Sequence, residues 1–214
     1  LQTAAAGLEK AGTSVGVLTG GRLPVEPCLS WSRFARVVLG TNNVDFRSRP
    51  HSAEEASFLA ATVAGRSLAE SVTYADLEKA SRVVLVNLEP EDECPMIFLR
   101  LRKAWRRKKV AITAVGTHLS NGSAKMGAEL ARCLPGQEPQ AVEQLVSDGT
   151  IGEGTIVLVG ERAATRPGTL SAIASLDSRV RVAWVPRRAG EIGAIEAGLL
   201  PQLLPGGRLV DDAE

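Results

Sequence analysis

The stretch that decides the fold is Arg82–Val115, which opens R-V-V-L-V-N-L-E-P-E-D-E-C-P (Arg82–Pro95) and closes V-A-I-T-A-V (Val110–Val115). Both apolar ends are short and rich in β-branched residues without polar alternation, the pattern of a parallel strand buried on both faces. Between them, Ile97, Phe98, Leu101, Ala104 and Trp105 fall on one face of a helix running from about Met96 to Arg107. Strand, helix and strand in this order make a β-α-β unit and set the class as α/β.

The loop after the first strand, Asn87–Pro95, stands where open parallel sheets place ligands. Its acids, Glu89, Glu91, Asp92 and Glu93, could attract a divalent metal. The favoured reading is that they complement the positive end of the helix that follows. Arg100–Lys109 holds seven basic residues in ten. Because basic residues at a helix C-terminus meet its negative end, this reads as a solvated or partner-facing surface in preference to a nucleic-acid patch.

Working outward, Thr155–Val159 and Arg179–Val185 repeat the apolar strand pattern, and Glu138–Ser147 and Gly168–Ala174 read as helices. Ser123–Leu134 reads as a helix ended by Pro135-Gly136, and the three glycines of Asp148–Gly154 as a domain boundary. Toward the N-terminus, Thr3–Ala11 is an alanine-rich helix, and Ser14–Leu18 is a strand followed by Thr19-Gly20-Gly21. Such a glycine loop can bring amides to a phosphate, but no phosphate-binding fingerprint accompanies it, so a tight turn is favoured. Trp31, Phe34, Ala35 and Val38 form an apolar helical stripe ending at Gly40. Thr41, Asn42, Asn43 and Asp45 then favour a shaped loop. Ser52 and Glu55 have capping-box spacing ahead of a helix from Ala53 to Ala64, and Thr73–Asp76 is a second capped start.

The 214 residues are 44% hydrophobic and 23% charged, with a net charge of +1, which gives no global drive toward nucleic acid or anionic lipid. No apolar run reaches the roughly 18 residues of a membrane span. Cys28, Cys94 and Cys133 are far apart and only His51 and His118 could assist, so neither zinc nor an iron-sulfur cluster has a ligand set. His118 reads as a hydrogen-bonded loop residue, and no nucleophile-base constellation can be assembled. Arg187 and Arg188 could clamp an anion or form salt bridges. The opening L-Q-T-A-A-A-G-L-E-K and the turn-rich tail after Gly198 lead us to expect a piece of a longer chain.

The words G-T-N-N-V-D and R-P-H-S within Arg33–Phe58 resemble the molybdopterin oxidoreductase superfamily. Within it, F-A-R-V-V-L-G-T-N-N-V-D-F-R-S-R-P-H-S-A-E-E is most similar to the branch that serves as the large peripheral-arm subunit of respiratory complex I. V-G-V-L-T-G-G-R-L (Val15–Leu23) and P-R-R-A-G-E-I-G-A-I-E-A-G-L-L-P (Pro186–Pro201) extend the resemblance over most of the chain. It implies two Rossmann-like lobes with mostly parallel sheets, one inserted in the other. We expect residues 1–44 and 149–214 to form one lobe, with Ser14–Leu18, Thr155–Val159 and Val180–Val185 in a single sheet, and residues 45–148 to form the inserted lobe.

The resemblance also implies a structural role in a proton-pumping complex, facing the cytoplasm at the inner membrane surface. Partners would be other peripheral-arm subunits, without nucleic acid or direct membrane insertion, and iron-sulfur clusters would lie elsewhere in the parent chain. No catalytic, metal or cofactor-binding residue is expected. The positions corresponding to the pterin pocket are Gly20, Gly21, Asn43, His51, Asn87, Glu89 and Val115, and three departures mark it as vestigial. Arg49-Pro50-His51-Ser52 stands where catalytic relatives carry Cys or selenocysteine, Asn87-Leu88-Glu89-Pro90 replaces G-x-N-P, and Val115-Gly116 replaces an acid. The competing readings are an active molybdopterin enzyme resembling formate dehydrogenase, which needs that missing ligand, and a generic nucleotide-binding module, which needs a glycine fingerprint.

Overall fold

A computed structural model of the chain describes residues 1–67 and 69–212. In chain order the elements are α1 (Gln2–Ala11), β1 (Val17–Leu18), α2 (Val25–Arg33), β2 (Val44–Asp45), α3 (Ala53–Thr62), α4 (Tyr74–Leu77) and β3 (Arg82–Val86). There follow α5 (Pro90–Glu93), α6 (Pro95–Arg106), β4 (Ala111–Gly116), α7 (Asn121–Lys125), β5 (Glu129–Arg132) and α8 (Glu138–Ser147). The last are β6 (Thr155–Gly160), α9 (Thr169–Ala174), β7 (Arg181–Val185) and α10 (Glu191–Glu196). They fall into two compact units, residues 1–65 with 188–214 and residues 66–187.

The second unit is an open α/β sheet of five parallel strands in the order β5-β4-β3-β6-β7. All six residues of β6 and the last four of β3 are buried, as a strand covered on both faces requires. Val83, Leu85, Ile112, Ile156 and Leu158 meet Ile97, Phe98 and Leu101 of α6 on one face. On the opposite parity Val84, Val86, Val157 and Val159 are equally buried, and α8 lies against β4 and β5. The α/β class with parallel sheets is therefore the observed one.

Which strands share a sheet differs from expectation. Thr155–Val159 pairs in register with Arg82–Val86, and β7 pairs with β6, so neither joins the Val17–Leu18 strand. The physical reason lies in the pairing edge. β3 has β4 on one side only, and the apolar β6, buried on both faces, pairs along its other side, leaving Asp148–Gly154 as a turn within the unit. The units divide after Gly65 and after Arg187, where the expectation had residues 44 and 148. Ser123–Leu134 is likewise not one helix: α7 ends at Lys125, Gly127 takes a left-handed φ of 66°, and β5 follows as an edge strand. The Trp105 indole lies where a Cβ on Gly127 would be, so tertiary packing overrides the helix propensity of E-L-A-R.

Among the described residues the first unit has the two-residue parallel pair β1-β2 as its sheet. Its buried apolar residues include Phe46, Phe58, Leu59, Ile195, Leu199, Leu200 and Leu203. After α2 a π-helical turn, Phe34–Val38, adds a residue to the turn and rotates the side chains that follow. Cys28, Ser32 and Ala35 are consequently the inward face, while Trp31 and Val38, two members of the expected stripe, are 44% and 67% exposed. Ser52 caps α3 by accepting from the Glu55 amide at 3.1 Å, but the Glu55 carboxylate turns away to two arginines and completes no capping box. Thr73 and Asp76 do form the reciprocal box. The tail makes turns and a 3-10 stretch at Val210–Asp212, and its last residues, Ala213 and Glu214, lie outside the described residues.

Candidate functional site

In the second unit the chain builds from β3 through β4 to β5, then returns to add β6 and β7 on the other side. At this reversal the loops after β3 and β6 leave neighbouring strands in opposite directions, which is where an open α/β sheet forms its ligand crevice. Asn87 and Glu89 follow β3 at this place. Val115, within the strand read over Val110–Val115, pairs with Val86 inside the sheet and is 7% exposed.

The chain's own groups occupy the crevice. A Cβ on Gly160 would overlap the Asn87 carbonyl oxygen, so the absence of a side chain there lets the two loops meet backbone to backbone. Asn87 itself takes a left-handed φ of 50°. From the β6 side, the Arg162 guanidinium donates to the Asn87 carbonyl at 3.3 Å and pairs with Glu93 at 2.7 Å. The Glu93 side chain is only 4% exposed, and its carboxylate also accepts the Glu89 amide at 3.1 Å. Asn87 Oδ1 and Glu93 Oε2 are buried without a hydrogen-bond partner.

On the β4 side, the Ser120 hydroxyl donates to Glu89 and accepts from the Ser123 amide at 2.9 Å, capping α7. Gly122 leaves room for the Glu89 carboxylate, since a Cβ there would coincide with Glu89 Oε1. Lys125 holds Glu91 at 2.6 Å. Three of the four loop acids are thus tied down by the chain. A dinucleotide pyrophosphate here would meet the Glu89 carboxylate. For unit charges 4 Å apart at an effective dielectric near 20, that encounter costs about 4 kcal/mol. By charge and by volume Glu89 opposes a pyrophosphate at this place.

In the first unit Gly21 and His51 border a buried charge network. Arg47, 4% exposed, pairs with Asp45 at 2.8 Å and with Glu55 at 3.2 Å. Arg49, 6% exposed, pairs with Glu55 at 2.7 Å and stands 3.8 Å from Glu191. Arg188 reaches Glu191 at 3.3 Å, so it is a salt-bridged residue, as one of its two expected readings had it. A Cβ on Gly21 would lie 2.6 Å from the Glu191 stem and 3.0 Å from Arg188, so the glycine loop is packed on these side chains. Gly20 has a φ of 74°, as a tight turn requires. His51 Nε2 is 3.8 Å from Asp45.

The T-N-N word is structural here. Thr41 donates to the Val15 carbonyl at 3.0 Å and accepts from the Asn43 amide at 3.1 Å. Asn42 bridges Arg36 and the Pro201 carbonyl at 2.9 and 2.7 Å. The Asn43 side chain is exposed and turned to the Val15 carbonyl at 3.4 Å.

Among the described residues no group of three His, Cys, Asp or Glu side chains converges as metal ligands would. Burial pushes the Cys28 and Cys133 thiols above their ordinary values. His118 shares a 2.9 Å hydrogen bond with Thr117 in an exposed loop.

The G subunit of NADH-quinone oxidoreductase from Mycobacterium bovis is 52% identical over 219 residues, covering 99% of this chain. The chain is homologous to a stretch of the NADH-quinone oxidoreductase G subunit. The Mycobacterium tuberculosis protein matches equally, at 52% identity over 99% of this chain, and that of Streptomyces coelicolor at 47% over 99%. The chain spans about 27% of the length of the mycobacterial proteins and 28% of the Streptomyces one. No protein-family model matches it. No described helix is long and apolar enough to cross a membrane.

Arg162, Ser120, Gly122 and Gly160, which close the crevice, were not legible as site residues in advance. Gly160 ends β6 and Arg162 follows it, while Ser120 and Gly122 follow β4, but which strand ends are neighbours depends on the strand order.

Proposed function

We propose that this chain is a structural segment of the peripheral arm of a proton-pumping NADH-quinone oxidoreductase, built on a molybdopterin oxidoreductase-like fold that holds no pterin cofactor. The observation that carries the reading is the Glu89 carboxylate, bonded to Ser120 over Gly122, in a chain homologous to the G subunit of that enzyme. A carboxylate in the position of a pyrophosphate opposes the cofactor by charge and by volume. The chain then serves as a packing surface for other peripheral-arm subunits, cytoplasmic and attached to the inner membrane face through the complex, with iron-sulfur clusters carried elsewhere in the parent. Electron transfer and NADH oxidation belong to those other parts.

Titrating the purified chain with molybdopterin guanine dinucleotide by calorimetry is expected to give no saturable heat. Binding at micromolar Kd or tighter, about 8 kcal/mol of affinity, would overturn the reading and return the formate dehydrogenase-like alternative.

A further inference from the structure

The basic run Arg100–Lys109 is not consumed by the packing of the second unit. Glu78 draws in two members, Arg100 at 2.8 Å and Lys103 at 3.0 Å. Arg102, Arg106, Arg107, Lys108 and Lys109 are all exposed, and among the described residues none has a carboxylate within ion-pair distance. They follow Leu99, which is 53% exposed, on the outward side of α6 and around its C-terminal turn. Lys108 closes α6 with its backbone in the left-handed region, φ 55°, as its amide bonds the Trp105 carbonyl at 2.7 Å and the Lys109 amide bonds that of Ala104 at 3.2 Å. Glycine would occupy that position with less strain. A cation stands there instead.

We propose that this face is a docking surface for an acidic protein surface. Five unneutralised cations confined to one helix end make a local positive field that the net charge of +1 conceals. Three of the five are arginines, whose planar forks match carboxylates in pairs. A bilayer fits poorly, because the apolar face of α6, with Ile97, Phe98, Leu101 and Ala104, is buried in the core and cannot enter lipid. Single-stranded nucleic acid fits poorly as well, since Trp105, 40% exposed with part of its indole against Gly127, is the one aromatic of the run, and stacking successive bases takes several. The proposal goes beyond the function proposed above and rests on charge placement within the second unit alone.

The test uses the full chain and fluorescein-labelled poly-L-glutamate as the probe, followed by anisotropy. The unaltered chain is expected to bind, and to bind more weakly as salt shortens the screening length from about 10 Å at 0.1 M toward about 3 Å at 1 M. R102E/R106E/R107E should lose at least about tenfold in affinity, while Lys10→Glu on α1 should leave it unchanged. Circular dichroism and thermal unfolding of the triple variant check its fold. If it is unfolded, the single variant Arg106→Glu replaces it, with a loss of about threefold or more expected. Absent binding by the unaltered chain, equal binding by a folded charge-reversed variant, or tighter binding of duplex DNA or phosphatidylglycerol vesicles than of poly-L-glutamate would each overturn the proposal.

Discussion

In the second unit buried backbone is paired strand to strand and the covering side chains are apolar, whereas in the first much of the buried polarity is satisfied by side chains. The second unit has five strands in one parallel sheet, the first a pair of two-residue strands. In place of a ladder, Arg36 of the first unit donates to the carbonyls of Gly198, Leu200 and Leu203 at 2.8, 3.1 and 2.8 Å. Arg47, Arg49, Glu55 and Glu191 form a charge cluster with every side chain at most 6% exposed. Desolvating these charges is costly, and the cluster holds only while each has its opposite. The sheet distributes its stability over many apolar contacts, so each loss is smaller and the whole less brittle.

The sharpest way to break this contrast is Glu55→Ala. It leaves Arg47 and Arg49 buried beside a missing carboxylate, and a loss of about 3–5 kcal/mol in the first unit is expected by denaturant unfolding. A loss under about 1 kcal/mol would mean that the network is not what holds that unit. Next is Leu85→Ala at the centre of the sheet, where the residue is 1% exposed. A cost of about 3 kcal/mol is expected, read from a probe of the second unit. If it exceeds that of Glu55→Ala, the sheet is the more brittle unit and the comparison reverses.

The smallest expected effect is on acid stability. The Thr73 amide, then the Thr73 hydroxyl, then Arg181 hold Asp76 down to about 2 from an ordinary 3.8. Because the folded value is depressed, Asp76 contributes stability above pH 3.8 that is lost as the pH falls through about 2. Asp76→Asn should therefore flatten part of the acid-unfolding slope of the second unit in that window. Part of the slope should persist, since Arg179 also holds Asp177 down to about 2. An unchanged slope in the variant would show that the capping box does not govern the acid response.

Much of the second unit was legible because its elements are set by local pattern. β-branched runs at Arg82–Val86, Val110–Val115 and Thr155–Val159 have few alternatives to buried strands, and Glu138–Ser147 is observed as the helix its sequence spells. Glu89 could be picked out because a carboxylate is conspicuous where the resembled pattern has none. Three things were decided only by the tertiary structure. The first is β5, whose E-L-A-R is helix-forming by propensity and becomes a strand because Trp105 fills the space beside Gly127 and the β4 edge needs a partner. The second is the partner of β6, because apolar strands of similar composition carry no record of which edge they will join. The third is the work of the charged residues. Glu55 reads as a capping carboxylate from three-residue spacing alone, yet it bonds Arg47 and Arg49, and Glu93 reads as a helix-end acid yet bonds Arg162. Local sequence fixes backbone geometry through short-range sterics and hydrogen bonds. The partner of a long charged side chain is chosen by what folding brings within its reach.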